Sequence, residues 1–279
     1  MQNSYLQNAT GKVQYGLTND YMFRMVFQGN KDALCGLISS LLHIDVDEIN
    51  DITVLNPVVP GEKIDDKTFI LDLKVTFNNN TIMNLEMQVR DEGNWPERSL
   101  GYLCRCFDNL NKGTNYLDAK TAIHISFLDF TLFPNKPEFC ATYKMLNEKN
   151  QHEYTSKFML KVVELNHVEL ADDEDKKYEI DRWARLFKSK TWEDLKMCAE
   201  NNSAMNAAVN DMFKFNSDFL VREQCEAREA YYAGEAYKKQ KMEALEREVA
   251  EKDEQLAEMT SIIENLQKQV EQLINEKNK

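Results

Sequence analysis

The sequence predicts an α/β fold, with helices packed on a sheet, and three observations favour this class. Between about residues 17 and 134, segments with helical spacing of apolar residues alternate with segments of period-two patterning. Strands interleaved with helices are typical of an α/β core and not of a helical bundle. The chain has 279 residues, 43% of them hydrophobic, and only 9 glycines and 5 prolines, which excludes collagen-like and disordered classes.

The predicted helices and strands follow one another along the chain. Thr18 and Asn19 are good N-caps for a first helix over DYMFRMVF, and a second helix covers Lys31 to Leu42. The segment ITVLNPVVP predicts a short strand or an extended loop, and TFILDLKVTF and TIMNLEMQV predict two strands. A helix from about Glu97 to Lys112 precedes strands at AIHISFLDF and near KFMLKVVEL.

The two central strands are predicted to form a hairpin. Asn78, Asn79 and Asn80 lie between them, and asparagine tolerates the left-handed backbone conformation that tight turns require. With these three residues as the loop, Phe77 pairs with Thr81, and the numbers of any two paired residues sum to 158.

One face of this hairpin is apolar and the other polar, because side chains alternate along a strand. The apolar positions are Phe69, Leu71, Leu73, Val75, Phe77, Met83, Leu85, Met87 and Val89. On the polar face Asp72 lies opposite Glu86, at about 5 Å between Cβ atoms, with Lys74 and Gln88 beside them. Because opposed like charges destabilise a sheet, a divalent cation such as Mg²⁺ or Mn²⁺ between the carboxylates removes the conflict. The alternative is an ordinary solvent-facing polar surface.

Beyond Leu170 the sequence is helical, and from Met242 onward a seven-residue apolar repeat predicts a coiled coil. The repeat places Met242, Val249, Leu256, Ile263 and Val270 at position a and Leu245, Met259, Leu266 and Leu273 at position d. Lys252 is the polar exception at d, and the pattern favours a parallel homodimer. The alternative is one long helix docked on its own domain. The predicted domains are a core over 15–170, a helical extension over 171–233 and the coiled coil over 234–279.

Charge and composition restrict the function. The net charge of −13 argues against a scaffold that coats nucleic acid, so any such contact must be local or bridged by metal. The chain shows no secretory signal and no apolar run of about 18 residues, so we expect a cytoplasmic protein that does not contact membranes. The six cysteines lack zinc-site spacing, and the four histidines, including His124, are predicted to be ordinary structural or surface residues.

Five segments in order carry a resemblance to a known family. They are LTNDYMFRMVF, ILDLKV, NLEMQV, ERSLGYLCRCFDNLNKGTNY and AIHISFLDFTLF. Across about residues 17–134 the chain resembles the PD-(D/E)XK nuclease family transposases, also called recombination-promoting nucleases. The resemblance implies a restriction-endonuclease-like core, a mixed sheet flanked by helices, and Mg²⁺-dependent cleavage of DNA.

The same resemblance implies roles for individual residues. Asp72 and Glu86 match the two metal-binding acids, and Gln88 falls where the superfamily most often has lysine. An amide can orient a water molecule but supplies no charge, and Lys74 on the neighbouring strand is a candidate source of that charge.

Three further residues are candidates for the site. Asp20 lies in the first helix, where many nucleases of the superfamily carry another acidic residue. The alternative is an acid stabilised by the helix N-terminus. Arg98 and Tyr102 are four residues apart on the helix after the hairpin, where they could hold a phosphate or simply stack on each other.

The sequence thus predicts a Mg²⁺-dependent DNA endonuclease of transposase type that dimerises through its coiled coil. One alternative is a catalytically silent interaction module that keeps the nuclease fold, an interpretation that Gln88 and the acidic charge favour. Another is a metal-dependent nuclease that acts on RNA.

Overall fold

The computed structural model of the chain describes residues 3–55, 73–78, 80–108, 113 and 115–277. The α-helices are α1 (Asn3–Asn8), α2 (Asp20–Gly29), α3 (Lys31–Leu42), α4 (Trp95–Phe107), α5 (Asp173–Lys177), α6 (Ile180–Lys188), α7 (Trp192–Ala199), α8 (Ser203–Ser217) and α9 (Phe219–Lys277). The strands are β1 (Ile52–Val54), β2 (Leu73–Phe77), β3 (Thr81–Gln88), β4 (Thr121–Leu128), β5 (Cys140–Lys144) and β6 (Phe158–Glu164).

The described strands form a mixed sheet in the order β1-β2-β3-β4-β6-β5. The pairs β1–β2, β2–β3 and β5–β6 are antiparallel, whereas β3–β4 and β4–β6 are parallel. Helix α4 connects the parallel strands β3 and β4 and packs on one face of the sheet. This sheet, flanked by helices, confirms the predicted α/β class.

The predicted hairpin and its register are confirmed at every described pair of β2 and β3. Phe77 pairs with Thr81, and Leu73 pairs with Leu85. Asn78 adopts the left-handed conformation at φ 50°, as the turn requires. Its side-chain carbonyl also accepts a hydrogen bond of 2.8 Å from the backbone N–H of Asn50, which ties the turn to the residues before β1.

Both ends of helix α4 differ from the sequence prediction. Helix α4 begins at Trp95, with Pro96 in its first turn, because proline has the helical φ angle there and the lost N–H would be unpaired anyway. Its last residue is Phe107, and Asp108 follows as the C-cap.

Strand β5 was not predicted from the sequence. Its residues Thr142, Tyr143 and Lys144 are exposed, so the strand lacks an apolar face that an alternating pattern could reveal.

The apolar face of the hairpin lies in the larger of two hydrophobic clusters, which includes residues of α2, α3, α6 and α8. Aromatic rings fill its centre. Phe127 of β4 contacts Phe23 of α2 and Phe187 of α6, with ring centroids 5.7 and 4.9 Å apart. On the other face α4 covers a smaller cluster that consists of Ile82, Trp95, Leu103, Cys106, Ala122, Leu128, Leu160 and Val162.

The chain divides into two compact units, Met1–Arg228 and Glu229–Lys279. The second unit contains the predicted heptad repeat. The finer domain boundaries at residues 170 and 233 stay predictions. In the described part of the chain, none of the helices combines the length and the apolar composition that crossing a bilayer demands.

We expect Gly36→Ala to destabilise the protein by about 1–3 kcal/mol, because α3 and α8 approach closely at this glycine. A Cβ atom added to Gly36 would lie 2.2 Å from the Cβ of Ala204. Gly101→Ala is a matched control in α4, since no atom lies within 4 Å of its added Cβ. That variant should gain about 0.5–1 kcal/mol. Urea unfolding of both variants measures the difference, and equal stabilities would contradict this account of the α3–α8 contact.

Candidate functional site

The polar face of β3 is buried beneath α4. Asn84, Glu86 and Gln88 are only 3%, 4% and 5% exposed. They alternate with apolar residues that enter the larger core, so the hairpin pattern itself directs them to the α4 side. The alternative of a solvent-facing polar surface is therefore wrong for these three residues.

Arg98 of α4 reaches the carboxylate of Glu86. Its Nη2 donates to Oε1 of Glu86 at 3.0 Å, and its Nε donates to the hydroxyl of Tyr102 at 3.0 Å. Burial alone would lower the pKa of Arg98, but the Glu86 carboxylate and then Tyr102 and Glu92 outweigh it, so the pKa is raised. Arg98 is therefore a permanent cation that compensates the buried charge of Glu86.

Aromatic rings hold Arg98 in this position. Its guanidinium carbon lies 5.5 Å from the ring centroids of both Trp95 and Tyr102. Of the two interpretations of Arg98 and Tyr102, the structure shows the contact between the two side chains. A role in holding a phosphate stays a prediction.

Gln88 has a defined amide orientation. Its Nε2 donates to the backbone carbonyl of Arg90 at 2.9 Å, which leaves the side-chain oxygen as an acceptor. Glu86 and Gln88 are two residues apart on the same strand face. This face of β3 therefore carries one carboxylate and one amide.

His124 also lies in this cluster, although it was not among the candidate site residues predicted from the sequence. It lies on β4 directly beside Asn84, is 0% exposed, and its Nδ1 is 3.1 Å from Nδ2 of Asn84. If the Asn84 amide donates to Nδ1, the imidazole proton is on Nε2. Burial, followed by the charge of Arg98, lowers the pKa of His124 to about 3. The alternation in AIHISFLDF was the available signal, because it places His124 and Ser126 on one face.

We expect His124 to make the protein less stable in mild acid. Its pKa is about 3 in the fold and about 6.5 when unfolded, so the unfolded chain binds more protons between these values. The contribution of neutral His124 to the free energy of unfolding is complete above pH 6.5. Below that pH it is lost at about 1.4 kcal/mol per pH unit as the pH falls. Urea unfolding at two pH values on either side of 6 measures it. His124→Gln should flatten the dependence, whereas the exposed control His152→Gln should retain it. Equal slopes in both variants would contradict the assignment.

The remaining hairpin candidates are Lys74 and Asp72. Lys74 is half-buried and pairs with Asn84, on the face that α4 covers. Asp72 lies outside the described residues, so its predicted position opposite Glu86 stays a prediction.

Asp20 is the first residue of α2, and it forms a buried ion pair with Arg228 of α9. Arg228 Nε donates to the two carboxylate oxygens of Asp20 at 3.1 and 3.2 Å, and its Nη2 donates to Oδ2. The side chains of Asp20 and Arg228 are 5% and 3% exposed. A role for Asp20 in chemistry stays a prediction, and its observed contact is with Arg228.

The donor chemistry at β3 fits a hard divalent cation. Glu86 offers carboxylate oxygens and Gln88 an amide oxygen, and Mg²⁺ prefers such ligands. The described residues hold no group of three or more His, Cys, Asp or Glu side chains that could bind a metal by themselves. A complete set at this place would therefore need Asp72, water or substrate oxygens.

Comparison with known proteins identifies the family. The model of the PD-(D/E)XK nuclease family transposases matches residues 17–244, which is most of the chain. No curated protein and no solved structure matches the chain significantly. The matched region contains the whole sheet, α4 and the Asp20–Arg228 pair.

Proposed function

The chain belongs to the PD-(D/E)XK nuclease family transposases, and from this membership we propose that it is a Mg²⁺-dependent endonuclease that hydrolyses phosphodiester bonds of DNA. The family gives a function of the nuclease and transposase type, and its fold agrees with the mixed sheet flanked by helices. The observation that carries the proposal is the cluster that Glu86 and Gln88 of β3 form with Arg98 of α4 at the polar face of the sheet.

Asp72 and Glu86 are the residues that would hold Mg²⁺, with Mn²⁺ as a substitute. When bound, the ion would lower the pKa of a water molecule and neutralise charge on the scissile phosphate. The protein's own residues fix the positions of the side chains around Glu86. Arg98 donates a hydrogen bond to the Glu86 carboxylate, which is 4% exposed, and the rings of Trp95 and Tyr102 contact Arg98.

Gln88 is suited to orienting the attacking water. Because its amide nitrogen is bonded to the carbonyl of Arg90, its oxygen is left to accept a hydrogen bond from water. An amide adds no positive charge. Lys74, on the neighbouring strand, and Arg98 are two cations among the described residues of this sheet face and α4.

We also propose that two chains assemble through the heptad repeat of α9. The nine apolar seam residues from Met242 to Leu273 are 47–64% exposed in the single chain. A second copy that packs along this seam would remove them from water, and the favourable hydrophobic term is about 25 cal/mol per Å² of apolar area. Two nuclease units in one assembly suit the cutting of two DNA strands.

The test is nicking of supercoiled plasmid by the purified full chain with Mg²⁺, with Mn²⁺ and with chelator, beside Asp72→Ala. We expect cutting that requires metal and is lost in the variant. The molar mass in solution, measured on the same samples, reports the dimer. Exposed Asp91→Ala, on the loop after β3, is the matched control and should cut normally.

Other outcomes favour the other functions. Cutting that survives in Asp72→Ala would mean that the acid is wrongly assigned or that the activity is a contaminant. Metal-dependent cutting of RNA but not of plasmid would favour an RNA nuclease. A folded dimer that cuts neither would favour the silent interaction module, an interpretation in which the Glu86–Arg98 pair serves stability alone.

A further inference from the structure

Strand β5 ends the described sheet, and its outer edge is open. Among the described residues, β6 is the only strand that pairs with it. The carbonyl of Phe139, just before β5, accepts a hydrogen bond of 2.8 Å from the backbone N–H of Glu164 in β6. Because alternate residues of an antiparallel pair point toward the partner, Thr142 and Lys144 direct their N–H and C=O groups away from β6. Such an edge is a template for pairing with another chain.

The α4 face of this edge exposes apolar side chains. Leu100, Phe133, Tyr143 and Met145 are 42–50% exposed, and they border an open pocket of about 290 Å³ beside β5. Exposed apolar groups that cluster in this way are typical of a surface that another protein covers. Ala141 lies on the same face as Tyr143, so β5 presents one small and one large side chain there.

The opposite face of β5 has acids at one end and a cation at the other. Cys140 packs against the larger hydrophobic cluster. Burial raises the pKa of its thiol to about 12, and so do the carboxylates of Asp175 and Asp172, against the opposing charge of Lys161. Alternation places Lys144 on the same face, four residues further along the chain. An antiparallel second copy of β5 would bring the cationic end of each strand to the acidic end of the other.

The charged groups at both ends of β5 have contacts within the chain and can make more. Lys144 is 35% exposed and donates to Oε2 of Glu153 at 3.1 Å, which uses one of its three N–H donors. Asp172 and Asp175 accept backbone N–H bonds from each other at 2.8 and 3.1 Å. Each carboxylate has about four acceptor positions, so both can accept from a further cation.

We propose that β5 pairs antiparallel with β5 of a second copy of this chain, in the register that sets Thr142 opposite Thr142 of that copy. This register pairs all five residues of the strand. Tyr143 then faces the small Ala141 of the other copy. Lys144 faces Cys140 and the acids beside it. Threonine pairs and opposite charges are both favourable across antiparallel strands.

The contact would join the sheets of two chains into one. It requires neither the coiled coil nor DNA cleavage. An antiparallel strand pair and a parallel coiled coil each have two-fold symmetry, so both contacts are compatible with one dimer.

Disulfide cross-linking of the full chain tests the strand contact. Thr142→Cys and Met145→Cys are made in a Cys104→Ser background, because Cys104 is an exposed thiol. In the proposed register the two Thr142 Cα atoms are about 5.5 Å apart, within reach of a disulfide. The two Met145 positions are offset by about 20 Å along the strands. Under mild oxidation we expect the first variant to form the covalent dimer at least about tenfold faster than the second.

A charge swap tests the register. Lys144→Glu/Glu153→Lys, added to Thr142→Cys, keeps the pair within each chain but opposes like charges across the two-fold axis. We expect it to slow cross-linking about fivefold. The matched swap Lys136→Glu/Glu138→Lys reverses a neighbouring exposed pair and should leave the rate unchanged.

Equal cross-linking of the two cysteine variants, or equal slowing by the two swaps, would overturn the strand contact. Molar mass and plasmid nicking of the same samples separate it from the other proposals. A wild-type dimer whose Thr142→Cys variant does not cross-link would keep the coiled coil, overturn the strand contact and leave β5 to an extended peptide of another protein. Specific cross-linking in a chain that does not nick plasmid would support the strand contact and reject the nuclease.

Discussion

Glu86→Gln is expected to lower the rate of plasmid nicking by about 10³-fold while the protein stays folded. Glutamine has the same shape and can still accept the hydrogen bond from Arg98, so the packing beneath α4 is kept. What is lost is the negative charge that the proposed site uses. The measurement is the nicking rate with Mg²⁺ in excess, together with urea unfolding of the same sample.

Two control variants make this prediction specific. Glu97→Gln changes an exposed carboxylate on α4, next to Arg98 in sequence, and should leave the rate unchanged. Arg98→Gln leaves Glu86 buried at 4% exposure without its main cation, so we expect lower stability as well as lower activity. If Glu86→Gln nicks at the wild-type rate, Glu86 is a structural partner of Arg98 and no part of the chemistry.

Asp20→Ala is expected to destabilise the protein by about 3–5 kcal/mol, because it removes the carboxylate that Arg228 contacts while the Arg228 side chain is only 3% exposed. Asp20→Leu/Arg228→Met should recover much of the loss, since two apolar side chains need no charge partner. Tryptophan fluorescence during urea unfolding reports on the relevant unit, because Trp95, Trp183 and Trp192 all lie in Met1–Arg228.

The same variants decide the role of Asp20. If it only pairs with Arg228, the double variant should nick plasmid at the wild-type rate at a temperature where it is folded. A stable double variant without nicking would make Asp20 part of the active site. As a control, Glu138→Ala breaks an exposed pair with Lys136 and should change stability little. A loss in Asp20→Ala no larger than in this control would contradict the buried-pair account.

The sequence by itself determined those features that depend on neighbours in the chain. The alternation in NLEMQV placed Asn84, Glu86 and Gln88 on one face, and the three asparagines predicted both the turn and the register of Phe77 with Thr81. Capping by Asn19 and the helical spacing after it predicted α2. These features follow from backbone geometry, because the period of a strand or helix is read within a few residues.

Only the tertiary structure decided which residues contact the candidate site residues. Arg98 contacts Glu86 across 12 residues, His124 meets Asn84 across 40, and Arg228 pairs with Asp20 across 208. Each contact depends on how α4, β4 or α9 packs, and no local pattern encodes that packing. Burial lowers the pKa of His124 and keeps its side chain neutral. The packing of α4 places the Arg98 cation against Glu86. The sequence identified Glu86 and Asp20 as candidate acids. Their contacts with Arg98 and Arg228 depend on the packing of segments that are distant in the sequence.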